Sequence, residues 1–323
     1  MRAVKDILSV IGNTPVVELR RITAGTGTTI LAKLEMLELG GSIKVRSALS
    51  MIEDLERASK IGPDTTIIEA STGNQGIAAA MVSAIKGYKC IICIPELYGI
   101  ERRKIMQAYG AQVVLTPTLG DMDETVWTSR RTAMQLEKEI PNAIYLRQFE
   151  NPANPAAHRL TTATEIVRDL AGEFDAFVAT IGTGGTLSGC AELLKAALPH
   201  VKVFGAEPAA AAREGQGTRG LHKQEGIGDA QEADFMPRHL IDGFVQVTDE
   251  EAFEMSRRLA KEEGLLCGIS SGSAVHGALQ VGQKLGPGTR VVTILPDTGE
   301  RYLQGELFGP EYLGAPVRRN ILE

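Results

Sequence analysis

What most constrains this chain is an alternation of short, almost wholly apolar runs with segments of helical period. The runs are TTILAKLE (28–35), TTIIEA (65–70), CIICIP (90–95), QVVLTP (112–117), FDAFVATIG (174–182), VKVFGAEP (201–208) and RVVTILPD (290–297). A strand with one wet face alternates polar and apolar residues; these do not, as expected for strands covered on both faces. Between them, RSALSMIEDLERASK (46–60) sets Ala48, Leu49, Ile52 and Leu55 on one stripe, with Glu53, Asp54, Glu56 and Arg57 facing away. Segments 74–87 and 100–110 end on glycine, 186–198 stops at Pro199, and 249–264 opens on acids that suit a helix N-terminus. This order implies βαβ units and an α/β fold of mostly parallel, doubly wound sheets. The 323 residues exceed the roughly 100–200 of one domain, so two lobes or one large unit are expected. NPANP (151–155) has the composition of a junction, and a lobe boundary is placed near it. The long glycine-rich stretch 207–237 lacks periodicity, and loops of that length are usually functional or mobile.

Composition narrows the function. The net charge of -6, with no cluster of Lys and Arg interleaved with aromatics, argues against nucleic acid and against anionic membranes. No apolar run reaches the roughly 18–20 residues that span a bilayer, and residues 1–12 lack a signal-peptide core. The expected location is the cytoplasm. Cys90 and Cys93 form a C-x-x-C, but on a strand residues three apart face opposite sides, so they are read as structural. No close-spaced histidine cluster occurs, and no metal site is expected.

Ligands of parallel sheets sit where strands end. Three polar, glycine-rich stops follow strands and lead into helices: STGNQG (71–76), GTGGTLSG (182–189) and CGISSG (267–272). GTGGT suits a phosphate, since glycines let backbone N–H groups approach an anion and a helix start follows; a tight turn is the plainer alternative. As a dinucleotide loop it fails, because Leu187 stands where the third glycine belongs, although Glu207 ends a later strand as a ribose-binding acid would. In GGSIKVRSAL (40–49), Lys44 opens an amphipathic helix. It is either a solvated surface charge or a Schiff-base amine, and the helix dipole disfavours a lysine there without a reason.

Taken together, these motifs resemble the cysteine synthase and cystathionine β-synthase family of fold-type-II pyridoxal-phosphate enzymes, the two-lobed, tryptophan synthase β-like architecture. The resemblance runs nearly end to end through IGNTPVVEL (11–19), GGSIKVR, ASTGNQG, QFENPANPAAH (148–158), GTGGT, EGIG (225–228), CGISSGSA (267–274) and LPDTGERYL (295–303), the last matching the family's terminal strand. It implies a small mobile lobe (41–148) carrying the lysine and substrate loop. A large lobe (1–40 plus 149–323) would carry the phosphate cup and pyridine-nitrogen site.

By the same resemblance, Lys44 is the catalytic and cofactor-bearing lysine and Asn74 bonds the cofactor's ring hydroxyl. Gly182, Thr183, Gly184, Gly185 and Thr186 cradle the phosphate, and Ser270 faces the pyridine nitrogen. Ser71, Thr72, Gly73, Gln75 and Gln148 bind substrate, with Gly228 and Asp229 at the closing loop. A serine at the pyridine nitrogen does not hold it protonated, which favours loss of a β-leaving group and an aminoacrylate that a nucleophile then attacks. The implied reaction is O-acetylserine plus sulfide giving cysteine. Alternatives are release of sulfide, lanthionine or cystathionine from cysteine or serine, and serine/threonine dehydration. The implied partners are a small amino acid, a thiol or sulfide nucleophile, a second copy of the chain, and a serine acetyltransferase as a candidate.

Three departures stand out. Val45 replaces the aspartate common after the lysine, and Gln75 replaces the usual threonine. Asp229 either bonds an ammonium on a longer substrate or is a solvated loop carboxylate; Arg219, His222 and Lys223 either bind an anionic leaving group or are surface charges.

Overall fold

The computed structural model describes residues 3–120, 122–212, 220–228, 235–309 and 312, with the side chain of Met122 excepted. Its strands are β1 (Val16–Leu19), β2 (Thr29–Lys33), β3 (Thr66–Ala70), β4 (Lys89–Pro95), β5 (Gln112–Thr116), β6 (Ala143–Tyr145), β7 (Ala176–Thr180), β8 (Lys202–Pro208), β9 (Gly243–Val247) and β10 (Arg290–Ile294). Helices are α1 (Lys44–Arg57), α2 (Asn74–Lys86), α3 (Ile100–Ala108), α4 (Met122–Glu139), α5 (Ala153–Ala157), α6 (Ala163–Leu170), α7 (Gly185–Ala197), α8 (Asp249–Glu263) and α9 (Ile269–Leu285).

Two sheets result. One has the order β5-β4-β3-β6 and is parallel throughout. The other has the order β1-β2-β10-β7-β8-β9 and is parallel except for the β1–β2 pair at its edge. Both are α/β layers, as the apolar runs require. In β4, Cys90, Ile92 and Ile94 enter the core beneath α1 and α2, while Ile91 and Cys93 enter the one beneath α4. The two thiols therefore face opposite sides of the sheet and are both buried. In β7, Phe177 and Ala179 serve one core and Ala176 and Val178 the other. Ala48, Ile52 and Leu55 of α1 are buried along the stripe that the sequence marks.

Several elements differ from expectation. NPANP is helical at its end: its last three residues open α5 (Ala153–Ala157), with Asn154 and Pro155 buried. Residues 295–303 leave the sheet after β10 and coil into a 3-10 turn (Gly299–Tyr302) instead of forming a strand. Short β1, β6 and β9 lack a long apolar run, and α4 hides its contacts among charged residues, so pattern alone does not reveal them. Among the described residues, no helix is long and apolar enough to cross a membrane. Nor, among them, does any group of three His, Cys, Asp or Glu side chains assemble that could hold a metal.

Candidate active site

Lys44, Asn74 and Gly185 each open a helix, and Ser270 is the second residue of α9. These ends converge on one cleft, as ligand sites of parallel sheets do. The cleft has two chambers that share Lys44, Asn74, Gly182, Thr183, Glu225 and Gly226. One continues along Gly184, Gly185, Thr186 and Ser270, the other along Ala70, Ser71, Thr72, Gly73, Gln75 and Gln148. Gly184, Gly185, Thr186 and Ser270, assigned to the cofactor from the sequence, thus line one chamber, and Ser71, Thr72, Gly73, Gln75 and Gln148, assigned to substrate, the other, with Lys44 bordering both.

The first chamber is shaped by glycine. Gly184 has φ +80°, a left-handed backbone that disfavours any side chain. A Cβ on Gly182 would sit 2.5 Å from the carbonyl oxygen of Gly226. Beside them, the Thr183 hydroxyl accepts from the Gly185 N–H at 3.3 Å and from Asn154 Nδ2 at 3.0 Å. Asn154 also donates to the Gln148 carbonyl at 2.7 Å, so α5 ties the cup to the second chamber. Behind Thr186, His158 is fully buried and bonded to Thr162 at 3.0 Å. Burial, reinforced by the Lys44 and Arg46 charges, holds its pKa well below the usual range, so the imidazole is neutral. A glycine cup at the start of α7, with a hydroxyl and a helix dipole aimed at it, fits a phosphate.

Burial lowers the pKa of Lys44 to about 8, with partial opposition from Asp297 and Glu69. A sizeable fraction of the amine is then neutral and nucleophilic near pH 8. Asn74 donates to Asp297 Oδ2 at 2.7 Å and accepts from Arg301, while Tyr302 also donates to Asp297 Oδ2 at 2.7 Å. Asp297 is fully buried, and its other oxygen has no partner among the described residues.

In the second chamber, Ser71 Oγ accepts from the Gly73 N–H at 3.0 Å, and Gln148 Nε2 donates to the Ala70 carbonyl at 2.8 Å. Ser71, Thr72 and Gly73 thus stand at the N-terminus of α2, where backbone N–H groups and the helix dipole suit an anion. Gln75 is 2% exposed; its Oε1 accepts from Ser47 at 2.9 Å and its Nε2 has no partner among the described residues. Gly228 lies just behind the lining, its N–H bonded to Ile181 at 2.9 Å, and Glu225 and Gly226 border the cleft in its place. Asp229 and Arg219 lie outside the described residues. Lys223 pairs with Glu306 at the surface.

Sequence reasoning missed Arg102, Arg130, Tyr302 and Phe149, all of which line the cleft. Arg102 lies in a segment marked only as a helix and Arg130 in one that carries no apolar stripe, and no spacing signal points to either.

A lysine bordering both a glycine-rich cup and a polar, helix-opening loop, on this fold, is an arrangement that fits a pyridoxal-phosphate enzyme. The model of the pyridoxal-phosphate dependent enzyme family matches residues 7–297, and the chain belongs to that family. It is 44% identical to a cysteine synthase of Staphylococcus aureus over 95% of this chain and 98% of that one. The crystal structure of an O-acetylserine dependent cystathionine β-synthase from Helicobacter pylori matches with TM-score 0.90 and 39% identity, over 96% of this chain and 100% of that one. An O-ureido-L-serine synthase structure matches with TM-score 0.89 and 39% identity, over 99% and 98%.

Proposed function

We propose that this enzyme replaces the β-substituent of an activated serine, O-acetylserine, with sulfide, releasing acetate and L-cysteine. The observation that carries the reading is the Lys44 amine between the Gly182–Thr186 cup and the Ser71–Gly73 loop. The kinship with cysteine synthases supports the choice of donor and acceptor.

Pyridoxal phosphate, when bound, draws electrons from Cα so that a β-substituent leaves and a nucleophile takes its place. The residues of this chain do the rest. Gly182, Thr183, Gly184, Gly185 and Thr186 hold the phosphate. Ser270, a hydroxyl and not a carboxylate, meets the pyridine nitrogen without keeping it protonated. Asn74 orients the ring edge. Ser71, Thr72, Gly73 and Gln148 hold the substrate's α-carboxylate, and Gln75 borders it. Lys44 Nζ takes the Cα proton and returns it at the end. Residues 41–148 act as a small lobe that closes on the substrate and keeps water out. A homodimer, cytoplasmic location and a serine acetyltransferase partner complete the proposal.

The test is product analysis of the cofactor-loaded enzyme given O-acetylserine and sulfide. Cysteine as the dominant product supports the reading. Sulfide release from cysteine, or pyruvate from serine, at greater kcat/KM would replace it.

A further inference from the structure

We propose that Arg130 forms an anion subsite at the α4 wall of the cleft, taking a carboxylate or phosphate that a substrate carries besides its α-carboxylate. This rests on the β-replacement reading, because the α-carboxylate is there assigned to Ser71, Thr72 and Gly73.

The cleft does not end at that loop. It continues past Ala70 and Gln148 to Val126, Ser129, Arg130 and Phe149. Arg130 is 5% exposed, with its guanidinium carbon 4.1 Å from the Trp127 ring centre and 5.0 Å from that of Phe149. Stacking fixes such a group in one orientation. Its Nη2 donates to Glu150 and the Tyr145 hydroxyl faces the same guanidinium, while its Nε–H makes no well-formed hydrogen bond among the described residues. A buried, charged donor left without an acceptor is costly, and a ligand anion drawing the fork toward the cleft would relieve that deficit.

The surrounding charges leave Arg130 incompletely neutralised. Glu150 is shared with Arg147, whose Nε lies 3.8 Å away, and its side chain is 34% exposed, so it is not a dedicated counter-ion. Glu69, inside the sheet, is fully buried, and burial pushes its pKa up to about 8, so near neutral pH it is mostly protonated. The other guanidinium on the cleft wall, Arg102, is bound by Glu225. A second anionic group on the substrate therefore meets Arg130.

Two sources fit this chemistry: a phosphate leaving group on the donor, or the carboxylate of an amino-acid thiol acting as nucleophile. Trp127 is the sole tryptophan and stacks on Arg130, so its emission in the cofactor-loaded enzyme reports binding apart from turnover. Inorganic phosphate alone is expected to change that emission saturably, with Arg130→Gln raising the midpoint tenfold or more. Arg130→Lys keeps the charge but loses the fork, and is expected to raise it at least threefold; it serves if the glutamine variant does not fold. Half-saturation by O-phosphoserine against O-acetylserine, and by homocysteine against sulfide, then identifies the source. A rise in Arg130→Gln at least five times greater for O-phosphoserine than for O-acetylserine assigns the leaving group. The same excess for homocysteine over sulfide assigns the nucleophile. Equal rises within each pair, or an unchanged phosphate midpoint in a folded variant, overturn the subsite. Loss of cysteine formation with the emission response intact would count against the β-replacement reading alone.

Discussion

Arg102 Nη2 lies 2.5 Å from a carboxylate oxygen of Glu225, joining α3 to the 225–228 loop across the mouth of the cleft. The same guanidinium donates to the Thr72 carbonyl at 3.1 Å and lies 5.4 Å from the Tyr302 ring centre. Arg102, Glu225 and Tyr302 border both the cleft and a wider outer vestibule, so they form the partition between them. Arg102 thereby ties the Ser71–Gly73 loop to the opposite wall of the cleft. We expect Arg102→Gln and Glu225→Gln each to raise KM for the amino-acid donor several-fold. The double variant should be less than additive by about 0.5 kcal/mol or more. Strict additivity in the cycle would mean the two side chains do not act as a latch.

The start of α1 is held by a buried charge network. Arg46 bonds Glu35 at 2.7 and 2.8 Å and Glu165 at 2.7 and 2.8 Å, and Lys33 reaches Glu165 at 2.8 Å. Burial opposes charge on Glu165, but hydrogen bonds from Arg46 and Lys33 prevail and hold its pKa near 2. Arg46→Met would leave Glu35 without its cation and Glu165 with Lys33 alone, and should destabilise by about 3–5 kcal/mol. Denaturant unfolding measures this, and a loss below about 1 kcal/mol would refute the network's role.

Glu38 belongs to the same network, accepting from the Gly12 N–H at 2.9 Å and lying 2.9 Å from Arg46. Burial raises its pKa to about 7, only partly countered by Arg46. Between about 4.5 and 7 the folded form keeps a proton that the unfolded form has lost, so this group's contribution falls as pH rises. Glu38→Gln removes that slope. Its unfolding midpoint relative to the wild type should therefore be more favourable at pH 8 than at pH 5. An equal difference at both would contradict the shift.

Lys44 must be neutral to attack an aldehyde. Since burial brings its pKa to about 8, recombination of apoenzyme with pyridoxal phosphate should accelerate as pH rises and level off above about 8. Stopped-flow absorbance follows this directly. A rate still climbing in proportion to hydroxide at pH 10 would show that the amine is not depressed.

Much of this was legible in the sequence because the relevant physics is local. Apolar runs announce doubly covered strands, and GTGGT and STGNQG must be tight strand-to-helix turns whatever surrounds them. Period two alone puts Cys90 and Cys93 on opposite faces. The cleft's arginines are different. Arg102 and Arg130 sit on helices whose charged residues look solvated until α3 and α4 dock on the sheet, and then both are buried. NPANP reads as a junction because proline and asparagine favour loops, yet Asn154 is buried where it can bridge Gln148 and Thr183. In LPDTGERYL, the side chains of Asp297 and Tyr302 form a buried contact that a terminal strand would have separated.

Borohydride reduction of the purified, cofactor-loaded protein, followed by digestion and peptide mass analysis, is the decisive experiment. A phosphopyridoxyl adduct is expected on Lys44 and absent from Lys44→Ala. A wild-type protein that stays unmodified, or that carries the adduct on another lysine, would contradict the Lys44 assignment.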